Sequence, residues 1–254
     1  MNTPGSTADD DPRAGDGDAW EANAAWWQEG FTDGADPEYE EQIVPLAREW
    51  LHGFDRVLDI GCGEGQISRK LVADGAGFVV GLDPTHNQLV MASARGGGPG
   101  YLRGHAEQVA FARDSFDAAV ACLVFEHMPD HRPAISEVAR VLRPGGRFVF
   151  FLNHPLLQCP GSGWVIDHIL EEEYWRIGPY LVEDVTMEEL APGVVLPFVH
   201  RPLSQYVNAL ADEGFRLVHM AEPEPPPGFI ARAAEYADAA SIPRLLLLVA
   251  ELPI

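Results

Sequence analysis

The segment Val57-Leu58-Asp59-Ile60-Gly61-Cys62-Gly63-Glu64-Gly65-Gln66 is the densest grouping of residue types able to do chemistry. A short apolar run meets three glycines at alternate positions, and helix-forming residues follow. Glycine is needed where the backbone takes a positive φ or approaches a ligand closely, and free amides at a helix start suit a polar or anionic group. Glycines close many strand-to-helix turns, so the spacing has to narrow the reading. It departs from the dinucleotide fingerprint G-x-G-x-x-G/A, because Gln66 stands where that pattern has its third glycine. Asp59, two residues before the first glycine, makes phosphate a poor guest and an ammonium group a good one. Asp83 ends the next apolar run. It either accepts hydrogen bonds from the two hydroxyls of a ribose or caps the helix that follows.

Such residues act together only if the chain brings strand ends to one place. Short apolar runs at 55–60, 78–82, 100–103, 116–122 and 147–152 alternate with helical patterns at 64–74, 85–95 and 132–142. Two more runs, 215–220 and 244–251, follow a helix over 203–213. This predicts an α/β fold with a doubly wound, seven-stranded, mostly parallel sheet covered on both faces. Tyr39, Ile43, Val44, Leu46, Trp50 and Leu51 have helical spacing ahead of the first strand, with a break or fresh start at Pro45. Residues 1–18 hold almost nothing to bury and read as a disordered tail. Residues 19–254 read as one domain. Within it, 19–52 form an N-terminal helical lid, and 154–202, rich in Trp, Tyr and Pro without a clean period, form an insertion after strand five that serves as a second lid. Aromatic side chains there suit an apolar or aromatic substrate: Trp26, Trp27, Tyr39, Trp164, Tyr174, Trp175 and Tyr180.

Composition excludes several classes. Basic residues number 17 against 39 acidic, a formal charge of -22, and Lys70 is the only lysine. So acidic a surface repels phosphate backbones and anionic lipid, so neither nucleic acid nor membrane is an expected partner. Cys62, Cys122 and Cys159 are too few and too widely spaced for a disulfide framework or a zinc set. No metal is expected, and free thiols fit a reducing compartment. The acidic start lacks the pattern of a secretory leader, and a cytoplasmic location is expected.

The motifs taken in order resemble those of class I S-adenosylmethionine-dependent methyltransferases of the small-molecule, type 11-like group. Val57 to Gly65 resembles the first motif and Gly81-Leu82-Asp83 the acidic end of strand two. Gly104-His105-Ala106-Glu107, with Phe111 and Ser115-Phe116-Asp117, resembles the adenine-side loop and the entry to strand four. Leu123 to Met128 resembles the segment after strand four, and Arg143 to Phe148 the turn into strand five. The resemblance implies S-adenosyl-L-methionine as cofactor. Asp59, Gly61, Cys62, Gly63 and Gly65 would surround its methionyl part, Asp83 the ribose, Pro84 a face of the adenine, and Ala106 and Glu107 its edge. Cys122, Leu123 and His127 would lie near the methionyl end. Where the family often has Asp, this chain has His105: either its neutral imidazole accepts from the adenine amino group, or, the reading favoured here, the Ala106 amide carries the adenine contact and His105 faces solvent. The resemblance also implies that the first five strands run parallel and that the last runs antiparallel beside the sixth.

The implied activity is methyl transfer to a small organic acceptor, most simply at a hydroxyl of an apolar or aromatic metabolite. A hydroxyl acceptor needs a base, and His is the side chain poised near neutral pH. His154, after strand five, is the first candidate, followed by His127 and His200. His154 is also a candidate substrate contact. N-, S- or C-methylation, a non-catalytic cofactor-binding protein and a nicotinamide oxidoreductase are the alternatives. Either a monomer or a homodimer fits.

Overall fold

The computed structural model describes residues 16–232 and 239–254. Seven strands form the central sheet: β1 (Arg56–Ile60), β2 (Phe78–Asp83), β3 (Gly100–Arg103), β4 (Phe116–Cys122), β5 (Leu142–Asn153), β10 (Arg216–Ala221) and β11 (Leu245–Glu251). Their spatial order is β10-β11-β5-β4-β1-β2-β3. The first five pair in parallel, and β11 runs antiparallel to both β5 and β10. This is the arrangement the motif order implies.

Both faces are covered because successive side chains of each strand leave opposite sides. Leu58, Ala119, Phe150 and Leu248 enter one core with Ile135, Val138, Tyr206 and Leu210. Those four belong to helices α5 (Arg132–Val141) and α6 (Leu203–Asp212). Val57, Val120, Val149 and Leu247 enter the other, with Ile43, Ala47, Ile67 and Leu71. Ala47 lies on α2 (Val44–Leu51), and Ile67 and Leu71 on α3 (Gln66–Ala73). Pro45 does mark a fresh start: a π-helical turn, Tyr39–Ile43, gives way to α2 with Pro in its first turn.

Three boundaries differ from the sequence pattern. The chain is already helical at Asp16, in α1 (Asp16–Phe31), so positions 16–18 of the expected tail are helix; 1–15 lie outside the described residues. Strand β5 starts at Leu142 rather than Arg147, because residues 143–146 bulge between the pairs Phe116↔Leu142 and Ala118↔Arg147. Gly145 makes the bulge possible: its φ is +77°, and its N–H donates to the carbonyls of Leu252 and Pro253. The insertion holds two antiparallel hairpins outside the main sheet. One joins β6 (Gly163–Asp167) to β7 (Glu172–Arg176), and the other joins β8 (Asp184–Ala191) to β9 (Val194–His200). Strands β6, β7 and β8 bury neither face fully, so their sequences show no period.

Strand β11 is the seam between β5 and β10, and Leu247 on it is fully buried. Leu247→Ala is expected to lower the unfolding free energy by about 2–5 kcal/mol. Urea denaturation checks this. A cost under about 1 kcal/mol would mean that the seam is loosely packed.

Candidate active site

The carboxyl ends of β1, β2 and β4 open into a cavity of about 390 Å³. The glycine loop forms its floor. Gly61, Gly63 and Gly65 all have positive φ, at 64°, 53° and 80°. At Gly61 a Cβ would sit 2.4 Å from Val124 Cγ2, so a side chain is excluded by space as well as by conformation. Three amides at the start of the loop are not free. Those of Gly61 and Cys62 donate to the Leu82 carbonyl, and that of Gly63 donates to Asp83 Oδ2. These three amides are spent on holding the loop to β2.

What the cavity offers instead is negative charge. Asp59, Glu64, Asp83 and Glu107 line it, with no lysine or arginine among the lining residues. Asp59 is 2% exposed, and its Oδ2 accepts the N–H and the hydroxyl of Ser68 at 3.1 and 2.6 Å. Oδ1 has no partner among the described residues. Burial outweighs the two Ser68 bonds and raises its pKa to about 7. Asp83 is also buried, and burial raises its pKa too. Each of its oxygens accepts one N–H, from Gly63 and from Thr85, and keeps lone pairs for a ligand. Asp83 does not cap helix α4 (His86–Arg95). The first amides of α4 donate to Glu21 on α1, at 2.6 and 3.0 Å.

Helix α1 closes the top with aromatic rings. Trp20, Trp27 and Phe31 line the cavity together with Tyr39. Trp27 and Phe31 stack at 4.2 Å, and Trp20 packs edge-on to His127 at 4.8 Å. His127 follows β4 on a single 3₁₀ turn, Phe125–His127. Its Nδ1–H donates to the Pro197 carbonyl at 2.8 Å, which leaves the lone pair on Nε2. Burial lowers its pKa to about 4, so the imidazole is neutral. Leu123, beside it, holds a positive φ of 55°, a strained conformation at the cavity wall.

Most of the expected cofactor residues meet here: Asp59, Gly61, Cys62, Gly63, Asp83, Pro84, Ala106, Glu107, Cys122, Leu123 and His127 all line the cavity, as do Trp27 and Tyr39. Gly65 does not. It caps α3 from below and faces the Tyr101 hydroxyl. His154 is also elsewhere. Its Nδ1 accepts the Leu156 amide and its Nε2 donates to Glu222 at 2.7 Å, so neither nitrogen is open to a substrate. His200 Nε2 donates to the Tyr180 carbonyl, and the Tyr180 hydroxyl accepts the Leu203 amide; both brace the insertion against α6. Trp164 and Trp175 pair across β6 and β7 with rings 5.6 Å apart, and Tyr174 is exposed on β7. Trp26 packs behind Trp27 and Phe31. Trp20 and Phe31 were missed from the sequence, although they stand seven before and four after Trp27, the spacing of one helix face.

The comparisons agree with this geometry. A family model described as a methyltransferase domain matches residues 58–150. The crystal structure of an S-adenosylmethionine-dependent methyltransferase from Mesorhizobium loti is 32% identical, with a TM-score of 0.71, covering 82% of this chain and 96% of that one. The O-methyltransferase rstn1 of Aspergillus nomiae is 34% identical over 98 residues, 36% of this chain and 44% of that protein. The ubiquinone biosynthesis O-methyltransferase of Rhizobium rhizogenes is 40% identical over 131 residues, 50% of this chain and 52% of that one. The chain thus spans about half the length of the curated relatives it matches.

The buried Asp59 has a consequence for stability. Its folded pKa of about 7 lies above the unfolded value of about 3.9, so the folded state binds the extra proton between them. That contribution is complete below the unfolded value and is lost as pH rises through 7. Asp59→Asn cannot ionise. It is expected to lose less stability than wild type between about pH 5 and pH 8, by about 1 kcal/mol or more, in urea midpoints taken at both. Equal losses would mean that Asp59 is already charged at the lower pH.

Proposed function

The chain belongs to the class I S-adenosylmethionine-dependent methyltransferases, and from that membership we propose that it methylates a hydroxyl of an uncharged, apolar or aromatic small molecule. The residues fit the cofactor. An acid-lined cavity with an unpaired Asp59 oxygen suits a ligand carrying an ammonium and a sulfonium, and aromatic faces add cation–π attraction. Asp59 would hold the amino group, and Asp83 the ribose hydroxyls through its remaining lone pairs. Pro84, the Ala106 amide and Glu107 would bound the adenine; the Ala106 amide donates to no protein group among the described residues. When bound, S-adenosylmethionine supplies a methyl group on a positively charged sulfur, for in-line displacement by the acceptor.

The observation that carries the oxygen reading is His127. Two histidines line the cavity, His105 and His127; His127 is the one packed against an aromatic residue of α1, and its Nε2 has no partner among the described residues. A base this weak does not take a proton from a neutral hydroxyl in advance. It accepts the proton at Nε2 as charge leaves the oxygen during transfer, and the cavity orients the acceptor for it. Two relatives named as O-methyltransferases support the same reading. The carboxylates disfavour an anionic acceptor. We read α1 and the β8–β9 hairpin as the walls of the acceptor side, since both supply groups packed on His127.

Two variants separate binding from transfer. Asp83→Ala is expected to weaken S-adenosylmethionine binding by about 1–3 kcal/mol in calorimetry; an unchanged affinity would remove it from the ribose. His127→Ala is expected to lower kcat about 10²-fold on a panel of neutral phenols and alcohols, with cofactor affinity within about threefold of wild type. A near-wild-type rate would exclude His127 as the base. Transfer to amines or thiols, but to none of the hydroxyl compounds, would exclude the oxygen reading.

A further inference from the structure

Strand β9 ends at His200, and the residue after it, Arg201, is 1% exposed. Its guanidinium donates to three backbone carbonyls of one short segment. Nη1 reaches Phe125 O at 3.1 Å, and Nη2 reaches Met128 O at 2.6 Å and Pro129 O at 2.8 Å. These carbonyls flank His127 on both sides. Nε makes no hydrogen bond among the described residues, and the Glu183 carboxylate lies 3.7 Å from it. The same stretch of chain reaches His127 twice more. The Pro197 carbonyl takes its Nδ1–H, and the Phe198 ring packs edge-on to the imidazole at 4.4 Å. From the other side, Glu126 Oε1 accepts both the backbone and the side-chain N–H of Asn153 at the end of β5.

Fold stability alone does not select arginine here. A buried guanidinium is costly to desolvate, and an apolar side chain of similar volume commonly serves a core as well or better. Arginine is favoured where a fixed, planar set of donors must meet several acceptors at once, which a lysine ammonium cannot do. Phe125 O also accepts the Met128 amide, whereas the Met128 and Pro129 carbonyls accept only from Arg201 among the described residues, so the guanidinium supplies the donors this turn lacks.

We propose that Arg201 is a positioning residue: it fixes the backbone on both sides of His127, so that the insertion sets the orientation and tautomer of the imidazole at the cavity. The proposal rests on the methyltransferase reading of that cavity. It makes the insertion part of the catalytic frame rather than a cover over it. The cofactor half, built on the glycine loop, Asp59 and Asp83, is independent of Arg201.

The test compares wild type, Arg201→Gln and Arg201→Lys as full chains. Imidazole ¹⁵N NMR of His127 gives its tautomer, and calorimetry gives the affinity for S-adenosylmethionine. The wild type is expected to hold the proton on Nδ1. Both variants are expected to lose that single tautomer and to bind S-adenosylmethionine within about threefold of wild type. An unchanged His127 signal in either folded variant would overturn the proposal. So would a loss of cofactor affinity that tracks the loss of the tautomer. Failure of both variants to fold would overturn it as well, since Arg201 would then hold the fold rather than the turn. A wild type that does not bind S-adenosylmethionine would sink the functional reading, while the tautomer comparison would still decide this one.

Discussion

A carboxylate removed from water at the end of the central strand, and bonded on only one of its two oxygens, is the constraint on which the site depends. Asp59 sits where β1 meets the glycine loop, with Ser68 holding Oδ2 and no described residue holding Oδ1. Burial pushes the group toward its neutral form, and a bound cation would restore its charge. The rest of the loop serves this arrangement. The amides of Gly61, Cys62 and Gly63 are tied to Leu82 and Asp83, so these three are not available to an anion. The three left-handed glycines let the backbone fold back close enough for that tie. Glu64 is neutralised from outside by Arg69 and Arg95, at 2.8 and 3.0 Å, which keeps the cations behind the loop and away from the cavity.

The second half of the site is borrowed from parts of the chain outside the sheet. Helix α1 contributes the aromatic wall and is held by its own carboxylate, since Glu21 satisfies the open amides at the start of α4. A negative side chain at a helix N-terminus is well placed electrostatically, and the contact fixes α1 across the cavity. Strand β9 and the residue after it hold the turn after β4, through Pro197 and Arg201. The cofactor side is thus built on the rigid sheet, and the acceptor side on a helix and a hairpin packed over it. Such a division lets one fold serve many acceptors, because the outer elements can change without disturbing the floor.

The floor was legible in the sequence, and the outer wall was only partly so. The continuous apolar runs, the glycine spacing and the acidic end of β2 are local patterns, and each maps to a local geometry. His154 shows where such patterns stop. By position it follows β5 and belongs with the strand ends, but Glu222, 68 residues later, takes its ring, and Arg244 takes its amide. Contacts that distant leave no local period. The hairpins between 163 and 200 were unreadable for a different reason. They lie outside the main sheet, and only β9 buries most of its residues. Helix α1 carried a readable signal in the spacing of Trp20, Trp27 and Phe31, which the glycine- and aspartate-rich sequence before it obscured.

The most direct test of the central claim is the number of protons exchanged when the cofactor binds. Calorimetric titration of the full chain with S-adenosylmethionine, near pH 6.5 in buffers of different ionisation enthalpy, measures it. An Asp59 held neutral at about 7 by burial, and recharged by the incoming ammonium, predicts net release of a large fraction of one proton, absent in Asp59→Asn. Binding with no proton release, or release that persists in Asp59→Asn, would contradict the account.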